Sequence, residues 1–288
     1  MKYALTLSFL ALSSALAVAC AAPNEDSSAQ MAATTDEDPI VGGVKAAEGA
    51  WPATVAIMDD GDQSCGGTLV APTWVMTAAH CLSAPKTTNG GLEKVVIGRN
   101  KLSGAGGEEI DVVRAIRHPD YYGPRHIADI ALLELATPSK APVAKLLPAN
   151  KARATYRANV KMTVVGWGVT NTKTEESSDT LLQAEVPFIS QAACKKFSAY
   201  AMLQDMQFCA GYLKGGTDSC QGDSGGPIYA KVSGEWLQAG IVSWGIGCAD
   251  AKAPGVYTRI TEYLEWIAET QATPAAAPTP DAEPAASN

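Results

Sequence analysis

A mainly β, disulfide-bonded, exported domain is what this sequence predicts, and three observations carry that expectation. Short runs of β-branched and aromatic residues recur between Gly, Pro and Asn punctuation. Six of the seven cysteines fall within one body and make an even set. The N-terminus carries an export signal, which delivers the chain to oxidising surroundings where disulfides persist.

Examples of these apolar runs, in order, are Ala53–Met58, Trp74–Ala78, Val95–Ile97, Ile110–Ile116, Ile130–Leu135, Val160–Val165, Leu237–Trp244 and Gly255–Ile260. Each is too short for a typical helix, and turn residues bound it, so each reads as a strand of an antiparallel sandwich or barrel. Only the end of this body reads as helix, because Tyr263, Leu264, Trp266 and Ile267 share one helical face. The 288 residues suffice for one or two substantial cores.

The flanks differ in composition. Lys2 precedes an apolar run through Leu5–Leu12 to Val18, and Ala17-Val18-Ala19 fits a small-x-small cleavage site, so residues 1–19 read as a signal peptide. Residues 20–39 are rich in Ala, Ser, Asp and Glu and read as a pro-segment or tether. Residues 272–288 form a Pro/Ala-rich disordered tail, leaving 40–271 as the folded body. Cys20 follows the signal directly, and two uses stand open: a lipid-anchored cysteine, or an incidental residue of a discarded pro-segment. The expected location is therefore secreted or extracytoplasmic, with the membrane reached only through an anchor at Cys20.

Formal net charge is −8, but the body from Ile40 to Gln271 carries only −2. A near-neutral body offers no electrostatic footprint for nucleic acid. Arg114, Arg117 and Arg125 are scattered and read as solvated surface.

Three segments carry chemistry. Gly216-Thr217-Asp218-Ser219-Cys220-Gln221-Gly222-Asp223-Ser224-Gly225-Gly226-Pro227 surrounds a serine with glycines, which permit tight turns and let backbone N–H groups converge on a developing oxyanion. A serine hydroxyl needs a neighbouring base to become a nucleophile. Thr77-Ala78-Ala79-His80-Cys81 follows a strand and supplies a histidine, the usual general base. Asp129 stands directly against the apolar run Ile130–Leu135, and a carboxylate buried there must find a partner.

In this order the three segments resemble the trypsin-like (chymotrypsin-fold) serine protease family, from Ile40 to about Thr270. The resemblance implies two packed six-stranded antiparallel β-barrels with a C-terminal helix and the active site between them. It implies Ser224 as nucleophile, His80 as general base and then acid, and Asp129 as the group that orients His80. Gly222 and Ser224 would supply the oxyanion-hole N–H groups. Asp218, six residues before Ser224, would form a pocket floor for Arg or Lys, with Ser219 beside it and Ser243, Trp244, Gly245 and Gly255 as walls. The same resemblance pairs Cys65–Cys81, Cys194–Cys209 and Cys220–Cys248, out of fifteen pairings that six cysteines allow.

Ile40-Val41-Gly42-Gly43 resembles the family's mature N-terminus, whose new ammonium would pair with Asp223. Here Asp36-Glu37-Asp38-Pro39 precedes Ile40 where zymogens of the family commonly carry Arg or Lys. Another protease, one acting after Pro, is therefore expected to mature the chain. The stretch Gly98–Ile110 is shorter than the acidic loop of calcium-binding members, and Glu108 and Glu109 read as a solvated pair. No metal and no cofactor are assigned. His118-Pro119-Asp120-Tyr121 resembles a structural loop of the family. The expected activity is hydrolysis after Arg or Lys in protein or peptide substrates, by a monomer open to proteinaceous inhibitors. The rival from another class is a non-catalytic homologue serving as a binding module, although no triad residue or pocket glycine is missing.

Overall fold

The computed structural model describes residues 40–82, 91–171 and 173–273. The expected signal peptide, Cys20, the pro-segment and the tail from 274 onward lie outside the described residues. After β1 (Val44–Lys45) come β2 (Thr54–Asp59), β3 (Asp62–Ala71), β4 (Trp74–Thr77), β5 (Lys94–Ile97), β6 (Glu108–Arg117) and β7 (Ala131–Leu135). Six of these close into an antiparallel barrel in the order β2-β3-β4-β7-β6-β5. Helix α1 (Ala149–Thr155) leads on to β8 (Lys161–Gly166), the small pair β9 (Val169–Asn171) and β10 (Glu176–Ser177), and β11 (Leu182–Ile189). Then follow α2 (Gln191–Cys194), β12 (Gln207–Ala210), β13 (Pro227–Val232), β14 (Glu235–Trp244), β15 (Gly255–Arg259) and α3 (Leu264–Ala272). A second barrel runs β11-β12-β15-β14-β13-β8, and the pairing of β8 with β11 closes it. The anticipated two-barrel fold with a C-terminal helix is thus the one observed.

Alternation explains why these segments are strands. In β11, Leu182, Ala184, Val186 and Phe188 are buried, while Gln183 and Glu185 face outward, as one buried sheet face requires. The second core centres on Phe208, which stacks with Phe188 at 5.6 Å and Tyr257 at 5.3 Å between ring centroids. Burying one such ring contributes about 2–3 kcal/mol. Gly240 leaves room for it, since a Cβ there would lie 2.7 Å from the Phe208 ring.

Several expectations need correction. β3, β11, β12 and β13 were not among the anticipated strands. β3 opens with Asp62-Gln63-Ser64 and carries two glycines, β11 contains Pro187, and β13 begins at Pro227; local propensity reads each as an interruption, and tertiary pairing overrides it. Helix α1 was also unexpected, and α3 runs one residue past the expected end of the body, with Tyr263 at its N-cap. Of the expected solvated pair, Glu109 is exposed as anticipated, whereas Glu108 is half-buried. Glu108 accepts hydrogen bonds from the Ser139 hydroxyl and the Lys140 and Ala141 N–H groups, and Glu109 pairs with Arg99 and Lys94. Arg114 pairs with Glu134 at 2.6 Å over the Trp74 ring.

β1 pairs with β11 of the second barrel, Val44 facing Gln183, although it precedes the first barrel in sequence. At the other end, α3 reaches back: His118 packs against Tyr263 and Trp266 at 5.1 and 4.8 Å. The two termini of the body therefore strap the barrels together. Loops at the ends of both barrels then meet where Ser243 of the second bonds Asp129 of the first.

Candidate active site

His80 sits in the single 3-10 turn Ala79–Cys81 that follows β4. The turn is fixed from two sides. Cys81 is bonded to Cys65 of β3, and closing a loop of this length stabilises by about 3 kcal/mol. Arg117 donates to the carbonyls of Ala79 and Leu82 at 3.1 and 2.5 Å. Arg117 is thus a brace for the His80 turn, not the solvated surface charge expected from sequence.

Asp129 is fully buried just before β7, placed by Ala128 in the left-handed region at φ 48°. Its Oδ1 accepts the His80 backbone N–H at 2.9 Å, and its Oδ2 lies 2.8 Å from His80 Nδ1. Oδ2 also accepts from the Ser243 hydroxyl at 2.5 Å and from His126 Nδ1 at 3.4 Å. Thr258 holds the Asp129 carbonyl at 2.9 Å. Burial alone pushes this carboxyl up, but the donors His126, His80 and Ser243 together with the charge on His80 hold it well below the usual carboxylate range. The carboxylate therefore stays ionised and fixes a proton on Nδ1, leaving Nε2 as the basic nitrogen.

Ser224 lies in the loop between β12 and β13, whose shape needs glycine. Gly222 and Gly225 have φ of 88° and 80°, a region that costs a side chain about 1 kcal/mol or more. The loop is clamped to the first barrel: the Gly66 N–H donates to the Ser224 carbonyl at 2.7 Å, and Gln63 Nε2 donates to the Gly222 carbonyl at 2.7 Å. Backbone N–H groups of Asp223, Gly225 and Gly226 are used by the carbonyls of Cys220, Val242 and Asp223. Those of Gly222 and Ser224 are used by no backbone carbonyl among the described residues. The Ser224 hydroxyl forms no hydrogen bond to His80 here, and such contacts often tighten only around substrate.

A cleft of about 100 Å³ opens beside Ser224, and Asp218, Ser219, Ser243, Trp244, Gly245 and Gly255 line it. Asp218 is 3 % exposed. Burial pushes its carboxyl up to about 7, against the N–H groups of Ser219, Ala249 and Gly255 that favour the charged form. Among the described residues it has no cation partner; Ser219 lies beside it, and the Ser219 hydroxyl meets that of Tyr257 at 3.3 Å. Such a carboxylate gains most from a cation brought by a ligand. Cys220–Cys248 braces this loop, and Cys194–Cys209 closes the third bond.

The segment after the expected cut already lies against this loop. Ile40 is fully buried, the Val41 carbonyl accepts the Asp218 N–H at 3.2 Å, and a Cβ on Gly42 would overlap Gly216 and Thr217. Asp223 is buried, with N–H donors from Gly168 and Cys220 at 2.9 Å each. Burial still pushes its carboxyl up to about 6. Gly166 and Gly168 make room for it, since a Cβ at either would overlap the carboxylate.

Sequence reasoning missed Gln63, His126 and Tyr257, and it gave Ser243 only a wall role although it also bonds Asp129. No local pattern marks these residues; their partners lie 159, 3, 38 and 114 residues away. Of the four, only the His126–Asp129 spacing is short, and it acquires meaning through two left-handed residues.

Two kinds of comparison bear on this geometry. The family model described as Trypsin matches residues 40–267. The chain is 38 % identical over 236 residues to "Transmembrane protease serine 5" of Homo sapiens, covering 80 % of this chain and 51 % of that protein. It is 37 % identical over 253 residues to "Transmembrane protease serine 9" of Rattus norvegicus, covering 84 % of this chain and 23 % of that one. The chain thus spans about half or less of these relatives' length. With two barrels, a matching family model and relatives of this identity, the chain belongs to the trypsin family of serine proteases.

Proposed function

We propose that the protein is a secreted serine endopeptidase that hydrolyses peptide bonds after Arg or Lys, with Ser224, His80 and Asp129 as its triad. The observation that carries this reading is the His80–Asp129 pair at 2.8 Å beside a cleft that holds both Ser224 and a buried Asp218.

In this mechanism a substrate Arg or Lys side chain pairs with Asp218 and sets the scissile carbonyl over Ser224. Ser224 Oγ bonds to the carbonyl carbon while His80 Nε2 takes the hydroxyl proton. The N–H groups of Gly222 and Ser224 hold the oxyanion, the kind of term worth about 3–4 kcal/mol per donor. Asp129 stabilises the imidazolium. His80 then gives the proton to the leaving amine as the C–N bond breaks, forming an acyl-enzyme. Water repeats the sequence, with His80 taking its proton and returning one to Ser224 Oγ.

Maturation before Ile40 completes the site. Ile40 has φ 31°, a strained value for a β-branched residue. Cutting the Pro39–Ile40 bond removes that torsion and creates an ammonium for Asp223, which has no cation partner among the described residues. Pro39 does not suit a pocket that selects Arg and Lys, so a protease acting after Pro performs the cut. Mass spectrometry of the native N-terminus tests this: a start other than Ile40 overturns it, and an acylated Cys20 would identify a lipid-anchored form.

The activity test uses the chain beginning at Ile40 and matched peptide amides ending in Arg, Lys, Phe and Ala, with Ser224→Ala alongside. Cleavage after Arg and Lys, abolished in Ser224→Ala, is the expected result. Cleavage after Phe or Ala would remove the role given to Asp218. No cleavage by the folded protein would favour the non-catalytic binding module.

A further inference from the structure

A second imidazole stands at the Asp129–His80 pair and exchanges no proton in the proposed reaction. His126 Nδ1 lies 3.4 Å from Asp129 Oδ2, and its ring meets the His80 ring edge-on at 5.5 Å and 82°. The oxygen they share already receives the His80 ring at 2.8 Å and the Ser243 hydroxyl at 2.5 Å. One carboxylate oxygen has two lone pairs for three donors. His126, the most distant, is the donor left over.

His126 is also held in place before any ligand arrives. It occupies the left-handed region at φ 47°, after the turn Gly123–Arg125. Gln207 of the second barrel donates to its carbonyl at 3.0 Å, and its ring lies near-parallel to Trp244 at 6.3 Å. The His80 and His126 side chains are 23 % and 32 % exposed, so solutes reach both.

We infer that His80, His126 and Asp129 form an inhibitory site for a borderline transition-metal ion of the Zn²⁺ class. Each offers one donor atom, and the three atoms lie within 4.8 Å of one another. Tetrahedral zinc with bonds of about 2.0–2.1 Å separates its ligands by roughly 3.3 Å. Two of the separations, 2.8 and 3.4 Å, bracket that edge and the third is at most 4.8 Å, so side-chain adjustment of up to about 1.5 Å completes the set. Two imidazoles and one carboxylate favour Zn²⁺, Cu²⁺ or Ni²⁺ over Ca²⁺ and Mg²⁺, which prefer all-oxygen ligands. A second cluster, Cys65, His80 and Cys81, has both sulfurs tied in a disulfide and offers no thiolate. An ion on His80 takes the lone pair of the general base or breaks its bond to Asp129, and either stops the reaction reversibly. His126 acts here as a metal ligand; because it also helps to hold Asp129 ionised, each variant's metal-free rate serves as its own reference.

The inhibition rests on His80 as general base; the binding does not, and the test separates them. The full chain, freed of metal by chelator, is titrated with ZnCl₂ by calorimetry and with Co²⁺ by visible absorption, in wild type and His126→Gln. Expected are one Zn²⁺ per chain and a tetrahedral Co²⁺ spectrum, with affinity falling more than about 100-fold in His126→Gln, at least what outer-shell changes cost. In the matured enzyme, Zn²⁺ inhibition is read as the ratio of rates with and without the ion for each variant, and it should shift by the same factor. Ca²⁺ should leave the ratio at one. Zinc binding or inhibition that His126→Gln leaves unchanged overturns the proposal, as does absence of binding at millimolar Zn²⁺. Binding intact in a protein without peptidase activity would support the metal site while sinking the proposed function.

Discussion

Gln63 in the first barrel donates its side-chain N–H to the carbonyl of Gly222 in the second at 2.7 Å. This contact spans 159 residues of sequence and reaches the loop that carries Ser224. The other amide atom, Gln63 Oε1, is buried without a partner among the described residues, so the side chain is committed to this one bond. Gln63→Ala should leave the Gly222 carbonyl unpaired and loosen the loop. A loss of about 1–1.5 kcal/mol corresponds to roughly tenfold in kcat, with KM little changed. Gln63→Glu should be worse than Ala, because an ionised carboxylate repels the carbonyl. Steady-state kinetics on an Arg amide decides it; a change confined to KM would reject the positioning role.

Gly255 is a pocket wall by necessity. A Cβ there would meet Asp218 Oδ1 at 2.7 Å and the Tyr257 hydroxyl at 3.2 Å. Gly255→Ala should distort the pocket at a cost of about 1–3 kcal/mol, lowering kcat/KM roughly 10–100-fold for Arg and Lys substrates. Titration of a nonspecific active-site acylating reagent, one that leaves the pocket empty, should change far less. Equal losses in both assays would place the damage outside the pocket.

Uncut and matured chains should respond to pH differently. In the uncut chain Asp223 has its carboxyl raised from 3.8 to about 6 by burial. The folded state then holds this proton more tightly than the unfolded chain, so its contribution is full below pH 4 and is lost as pH rises to about 6. About 3 kcal/mol is at stake, and Asp218, raised to about 7, pushes the same way. In the chain starting at Ile40 the ammonium offsets the Asp223 part. Thermal melts of both forms on a Ser224→Ala background, from pH 4 to 7, should show the steeper loss in the uncut form. Parallel curves would argue against the Ile40–Asp223 pair.

Arg99 organises the loop before β6. Its guanidinium donates to the Gly106 carbonyl at 2.8 Å, the Leu102 carbonyl at 3.2 Å and Glu109 at 3.1 Å. These oxygens already have their cation in the chain. Added calcium should therefore not raise the melting temperature, whereas Arg99→Ala should lower it by about 2–6 °C for a loss of 1–2 kcal/mol. Calcium stabilisation of the wild type would mean that the loop opens to admit the ion.

Much of this protein was legible from its chain alone. Strands such as Val95–Ile97 and Ile130–Leu135 announce themselves by β-branched runs, and the Asp218–Pro227 segment carries its glycines wherever it is placed. These features are local: propensity, turn chemistry and a run of residue types act within a few positions. The sequence by itself therefore determined the β class, the family and the candidates Ser224, His80, Asp129 and Asp218. Only the tertiary structure decided that Ser243 and His126 share Asp129, that Gln63 holds Gly222, that Arg117 braces the His80 turn, and that β3, β11, β12 and β13 complete the barrels. Each of those depends on closing long loops so that distant groups fall within about 3 Å, and the free energy that closes them comes from two buried cores, not from any neighbour in sequence.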